Sequence, residues 1–457
     1  MSMTNPTIEQ RIADAQRHAL PATLHDAQFY KGHGNFESLN RASDGNLYYI
    51  IASHRIDAHG QIFRLDPATH SLSHVADLGE VVGEADAKAI PQGKGHVPFF
   101  EHEGKLYSAT HVGFYKPPAH EGDAIELIGR MSGYAPYPGG HFFTYDLGTG
   151  ECESLARAPQ EEGIITMMMD TARGRLYGLT WPGGLFLHFD LHTRAVKNFG
   201  PMFGEGEAGD FENGDWRLIC RNFALDPRDG NVYWTRAPGE LLRCDFEKDT
   251  VGVVEEIDFK SPEFGPLSDH SLWRSILWHP REQVFYGVHY RANRLFRFDP
   301  RAGVVEPLAH IGAAPFNDPA THTEPSYLPF RICHWYWGTL AFKWGPDGDT
   351  IYYLASGPPP REDRFQGFGT TRFITYHVPT RSYRDHGTLQ LPDGRCPSDP
   401  QSIEIAHGRV YSVQNIEIPE DDRSSRADRF REGWVKKDKP YVEETNLISF
   451  ADPLASS

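Results

Sequence analysis

Residues 94–115 read KGHVPFFEHEGKLYSATHVGFY, two short runs of β-forming residues on either side of Glu103-Gly104. An Xaa-Gly pair between runs of Val, Phe, Leu and Tyr reads as an antiparallel hairpin with a tight turn. His96 then opens the first strand and His111 closes the second. Antiparallel pairing brings those two ends side by side.

The same signature recurs down the chain. A turn, an apolar residue and a tyrosine appear as DGNLYY around Tyr48, EGKLYS at Tyr107, RGRLYG at Tyr177 and DGNVYW at Tyr233. EQVFYG at Tyr286, GDTIYY at Tyr352 and HGRVYS at Tyr411 continue the series. An alternating strand ending in Asp or its equivalent follows most of them: QIFRLD, HFFTYD, LFLHFD, ELLRCD, RLFRFD, RFITYH and NLISFAD. Each copy reads as four strands. One such unit cannot bury both its faces, whereas units stacked radially cover one another and keep only short edges. The expected fold is therefore all-β, a seven-bladed β-propeller filling residues 31–457 as one domain. Residues 1–30 read as an N-terminal extension with a short helical segment over 8–19, ended by Pro21. The segment 27–30 is the expected closing strand of the last blade.

Composition agrees. The chain has 457 residues, 39% of them hydrophobic and 12% aromatic, with 44 Gly and 34 Pro, a mixture that favours short strands and many turns. A net charge of −17 argues against nucleic acid as a partner. It leaves room for an anionic small substrate, because a local cluster of Arg and His outweighs a distant field. Five cysteines without a CxxC read as free thiols. The first residues lack an apolar leader and no run of 18 apolar residues occurs, so a soluble, cytoplasmic protein without membrane contact is expected. A chain trimmed of a secretion leader would read the same. Long departures from the repeat fall at 116–138, 200–220, 258–272, 312–337, 358–370 and, strongly charged, 417–443. Loops of that length in a compact fold are functional or disordered.

Propeller topology dictates where chemistry gathers. Residues before each first strand, and those three to five past each landmark tyrosine, surround one mouth of the ring. They are His33, Asn35, His54 and Arg55; His96 and His111; Thr166 and Trp181; Arg221, Asn222 and Arg236. The later copies add Trp273, Arg274, His289 and Tyr290; Arg331, His334, Tyr336 and Trp337; and Gln401, Gln414 and Asn415. Arginine forks bind carboxylates, aromatic faces stack on sugars, and His and Tyr exchange protons. That set suits an acidic sugar. For a uronate the natural reaction is β-elimination: Arg neutralises the carboxylate, which acidifies the C5 proton, and His or Tyr removes it.

Plainer readings exist for most of these residues. A histidine at a strand end often caps it or faces solvent, and a single arginine often braces neighbouring sheets. The tryptophans of LTWPGG and HWYWG serve equally as packing between blades. Met167–Met169 is core; HEG at 102–104 and HPR at 279–281 are turns; AHEGD at 119–123 is loop composition. His96, His289, His334 and Gln401, with His111, are the candidate ligands for one divalent cation, although no short metal motif is present. GxSxG, P-loop and HExxH patterns are absent.

At GKGHVPFF, SATHVGFY, LICRNF and PFRICHW the chain resembles the propeller-fold polysaccharide lyases, in particular the L-rhamnose-α-1,4-D-glucuronate lyases and, more distantly, the oligogalacturonate lyases. The resemblance spans the blade pattern from about Asn35 to Asp452. It implies proton transfer by His or Tyr, Arg on the uronate carboxylate, and in some members a calcium or manganese ion near the axis. The region of the oligogalacturonate lyases' His-rich manganese site offers Gln401 and His407 here, without a close His pair.

The expectation is a lyase for an acidic oligosaccharide or glycan. His111, His96, Tyr290 and His289 are its catalytic candidates. Arg221, Arg274, Arg331, Asn222, Trp181, Trp337, His334 and Asn415 are its substrate-binding candidates. Two alternatives stand beside it: a metal-dependent lactonase or other hydrolase on the same scaffold, and a non-catalytic sugar- or protein-binding propeller.

Overall fold

The computed structural model describes residues 19–114, 133–204, 206–207, 219–236, 239–259, 272–290, 293–312, 338–357, 370–418 and 443–455. Within them the chain is all-β. The helical pieces are a single turn, Leu78–Val81, and a 3-10 turn, Pro159–Glu161. No helix among the described residues is long and apolar enough to cross a membrane. The expected helix at 8–19 lies outside the described residues, except that Ala19 already belongs to a strand.

Five four-stranded antiparallel sheets follow one another in sequence. The first runs from Leu39–Arg41 to Ser71–Asp77, the second from Phe100–His102 to Cys152–Arg157, and the third from Gly163–Asp170 to Val196–Pro201. The fourth runs from Ala224–Leu225 to Thr250–Asp258 and the fifth from Trp273–His279 to Val304–His310. The remaining strands join in an eight-stranded sheet. Every landmark tyrosine lies on the second strand of its four-strand unit and is buried. Those strands are covered on both faces; Leu47–Ile51 is buried throughout. That is why their letters are almost continuously apolar. The fourth strands sit on the rim and read as polar, as in Val196–Pro201.

The eight-stranded sheet holds the closure. The strand Ala19–His25 lies between Ser382–Gln390 and Glu443–Ala451. It runs parallel to the first through Ala19–Pro21 and antiparallel to the second through Ala22–His25. The closing strand expected at 27–30 is thus Ala19–His25. Ala22 enters the apolar cluster of Phe373, Leu389 and Phe450, a contact that residues 27–30 do not make. Six apolar clusters couple neighbouring sheets. The last links Leu47, Tyr49 and Phe63 of the first sheet with Tyr411, Val413 and Leu447 of the final strands, so the packing closes on itself.

Short turns and long links sit at opposite ends of the strands. First and second strands are joined by tight turns; Glu103-Gly104 and His407-Gly408 both have φ positive at each residue, as a two-residue hairpin turn requires. Links from second to third strands, and from one sheet to the next, are often long, among them 110–140, 202–223, 311–341 and 418–442. The long links therefore leave and rejoin the described strands at the end opposite the tight turns.

Candidate functional site

The expected hairpin is present, with its register shifted at the open end. Phe100 pairs with Tyr107, and continuing that ladder would set His96 opposite His111. Instead Lys94 bridges to His111, N to O at 2.9 and 2.7 Å in the two directions. Pro98 lies in the intervening stretch and has no N–H to give the ladder. The two histidines still meet: their rings are edge to face with centroids 5.5 Å apart. His96 stacks on Phe36 at 4.6 Å and shares a 2.9 Å hydrogen bond between Nδ1 and the Ile165 carbonyl. His111 packs edge to face on Trp181 at 5.5 Å. A Cβ at Gly163 would come within 2.1 Å of its Nδ1, so glycine is needed there for the imidazole to fit.

Charged groups from this hairpin and from other parts of the chain surround the pair. Lys94 is buried, with its ammonium 4.7 Å from the Phe36 ring centroid. Gly93 and Gly95 flank it, and a Cβ on either would collide with Gly113 or Ile50. Burial, and then the Arg221 charge, pull the Lys94 pKa down to about 7. Burial comes first for both histidines too. His111 also feels Lys94 and Arg221, while His96 feels His111, Arg221, Lys94 and Arg274. Both pKa values fall well below the ordinary value, so both imidazoles are neutral at physiological pH.

Arg221, in the link before the fourth sheet, and Arg274, on the first strand of the fifth, differ in employment. The Arg221 fork is engaged by Glu207, Nη2 lying 3.0 Å from each carboxylate oxygen, and it also donates to the Ile219 carbonyl. Glu207 further accepts from Trp181 Nε1 and the Ile219 N–H, both at 2.8 Å. Arg221 thus helps to build the wall behind His111. Arg274 donates to Gln401 Oε1 at 3.0 Å and lies 5.4 Å from the Tyr290 ring centroid.

Glu37 is the acid of the group. It precedes the first sheet, has a left-handed φ of 73°, and accepts at 2.6 Å from Nδ2 of Asn222, which lies just before the fourth sheet. Burial raises its pKa to about 8, against the lowering effects of Arg274 and Asn222.

Of the other expected residues, His33 and His54 also feel the Lys94 charge, and most of the rest have structural partners. Trp273 is core, its Nε1 donating to the Asn222 carbonyl at 2.7 Å. Asn35 ties Ser38 and Ile50, Arg55 pairs with Asp57, and Arg236 pairs with Glu240. Thr166 holds the Cys220 carbonyl, and Gln414 accepts from Thr371. His33 and His54 pack together at 5.1 Å, His54 Nδ1 lying 2.7 Å from the Gly113 carbonyl. His289 and Tyr290 are buried at the end of their strand beside Trp273. Asn415 accepts from Thr445 at 2.6 Å. Arg331, His334, Tyr336 and Trp337 lie outside the described residues. A metal finds no ready cage: among the described residues no three His, Cys, Asp or Glu converge. The candidate ligand Gln401 already spends its oxygen on Arg274 and Leu340 N, and its Nε2 on Asp399.

Sequence reading missed Lys94, Glu37 and Glu207. The one available signal was a lysine between two glycines at the open end of the hairpin.

No family model matches the chain, and no curated protein does. Solved structures do resemble it. A 6-phosphogluconolactonase candidate from Bacteroides uniformis aligns at 12% identity over 79% of this chain and 88% of its own, with a TM-score of 0.46. A nidogen/laminin complex aligns at 10% identity over 68% and 95%, with a TM-score of 0.37. A puromycin-hydrolysing peptidase of Mycobacterium tuberculosis aligns at 11% identity over 89% of this chain, with a TM-score of 0.47. The chain spans 53% of that peptidase.

Proposed function

We propose that this chain is a seven-bladed propeller lyase that cleaves a uronate-containing glycan by β-elimination. The count takes the eight-stranded sheet as two blades, 342–390 and 404–451 with Ala19–His25 as outer strand, beside the five separate sheets. The carrying observation is the neighbourhood of His96 and His111. Neutral imidazoles lie within the fields of buried cations, Lys94 and Arg221 acting on both and Arg274 on His96.

Those pieces divide the labour. A neutral His111 is able to accept the C5 proton, with His96 fixing its ring from the side. Arg274 and Lys94 receive the carboxylate. An anion beside Lys94 favours its ammonium form, so binding itself restores the charge that burial weakens. The same cations stabilise the enediolate as negative charge grows on the carboxylate oxygens. Arg221 acts one step back, through Glu207 and Trp181.

The test is incubation with glucuronate- and galacturonate-containing oligosaccharides while following the ultraviolet absorbance of a C4–C5 unsaturated uronide. Appearance of that chromophore, without a metal supplement, supports the reading. Chain cleavage that gives only saturated products and is abolished by chelator would replace it with metal-dependent hydrolysis. Binding without any turnover would replace it with a sugar-binding propeller.

A further inference from the structure

Glu37 has a placement that packing alone does not require. Its backbone adopts a conformation that costs a non-glycine residue about 1 kcal/mol or more, a kind of strain that concentrates at functional sites. The carboxyl reaches from the approach to the first sheet to the link before the fourth, where Asn222 Nδ2 donates to Oε1. Asn222 is itself fixed, its carbonyl accepting from Trp273 Nε1. Among the described residues this is the sole hydrogen bond to the Glu37 carboxyl, so Oε2 is the oxygen left to carry a proton. The preceding residue, Phe36, is stacked on His96, whose ring in turn meets that of the proposed base His111. Glu37 is half-buried.

We infer that Glu37 is the general acid of the elimination, giving its Oε2 proton to the glycosidic oxygen as the C4–O4 bond breaks. The inference rests on the lyase reading. The base takes the C5 proton, and the C–H electron pair becomes the C4=C5 bond. The C4–O4 pair leaves on oxygen, which takes the Glu37 proton and departs as an alcohol. Glu37 is left as carboxylate and the base as its conjugate acid; exchange with water restores both. The facing groups agree with this role. Arg274 from the fifth sheet is the charged group on the carboxyl, Asn222 the neutral donor, and burial outweighs both to keep the acid protonated at neutral pH. Arg274 then stabilises the carboxylate that the step creates.

Glu37→Gln keeps the shape and the amide contact but has no transferable proton. The experiment compares wild type and E37Q on a uronide whose C4 leaving group is a sugar alkoxide and on one whose C4 leaving group is an aryl oxide. A general acid predicts a loss of about 100-fold or more on the sugar substrate and less than about 10-fold on the aryl one, which leaves without assistance. Circular dichroism and melting check that E37Q is folded, and infrared difference spectra should show a protonated carboxyl in wild type that E37Q lacks. Equal losses on both substrates, no loss, or an ionised Glu37 at neutral pH would each overturn the assignment. Wild type yielding no unsaturated product from either substrate overturns the lyase reading itself; wild-type turnover with an unaffected E37Q overturns Glu37 alone.

Discussion

His96 and His111 meet edge to face at 5.5 Å, although the ladder places Lys94, not His96, across from His111. The slip brings three titratable groups to the open end of one hairpin instead of two. It also divides their surroundings: His96 lies against Phe36, and His111 against Trp181 and Gly163.

If His111 is the base, His111→Ala removes the proton acceptor and leaves the sheet unchanged. Activity should fall by about 10²–10⁴-fold. Removing the buried ring also opens a cavity, so a stability loss of ~1–3 kcal/mol is expected. Chromophore release and urea unfolding on the same preparation separate the two. A variant within threefold of wild type would assign the proton transfer elsewhere.

Gly163→Ala probes the same imidazole without touching it chemically. Its new methyl would stand 2.1 Å from His111 Nδ1 and 3.0 Å from the Val112 nitrogen, so the ring must move. Overpacking of this kind costs ~1–3 kcal/mol. A displacement of ~1 Å can cost about 100-fold in rate. The expected signature is a kcat loss with little change in KM, in a protein that still melts cooperatively.

The reach of the sequence follows from which side chains are covered on two faces. The second and third strands of each unit are, so the LY and FxxD patterns announced all the units and the common end of the ring. Gathering His96, His111, Arg221 and Arg274 needed only that topology. Lys94 was hidden by a two-residue slip around Pro98, which no alternation pattern encodes. Glu37 was hidden more deeply, because its contact with Asn222 joins residues 185 apart in number and depends on how the chain before the first sheet enters the ring. The closing strand was misplaced because Ala19–His25 changes partner midway, parallel and then antiparallel, so its exposure pattern has no single period.

That closure is itself testable. Ala22 is buried in the cluster with Phe373, Leu389 and Phe450. Ala22→Asp would place a carboxylate there without a partner, which costs several kcal/mol unless the group takes up a proton. The denaturation midpoint should fall sharply at pH 7 and recover in part toward pH 5. A variant as stable as wild type at pH 7 would mean that this strand does not seal the ring.

Lys94 should show function and stability pulling apart. Its pKa is about 7 in the folded protein against 10.5 ordinarily, chiefly through burial. Below about pH 7 both folded and unfolded states carry the ammonium, and the folded state bears the full cost of burying it. Between about 7 and 10.5 the folded state has released the proton and the unfolded state has not, so the cost fades as pH rises. Lys94→Met keeps most of the stem and deletes the charge. It should therefore raise stability most at and below pH 7 and approach wild type near pH 10.5. At ~1.4 kcal/mol per pH unit the gain is capped at ~5 kcal/mol, and relaxation around the ammonium should bring it to ~1–3 kcal/mol. Activity should move the other way, by about 10–1000-fold, because the proposed carboxylate site loses one of its two cations. The wild-type rate should also fall above about pH 7–8, where Lys94 and Glu37 both lose protons, and stay high on the acid side, where His111 remains neutral. Urea titrations at pH 6 and pH 10, with rates at each pH, test all of this. A Lys94→Met protein that is less stable at pH 6 and fully active would show the lysine to be a structural prop.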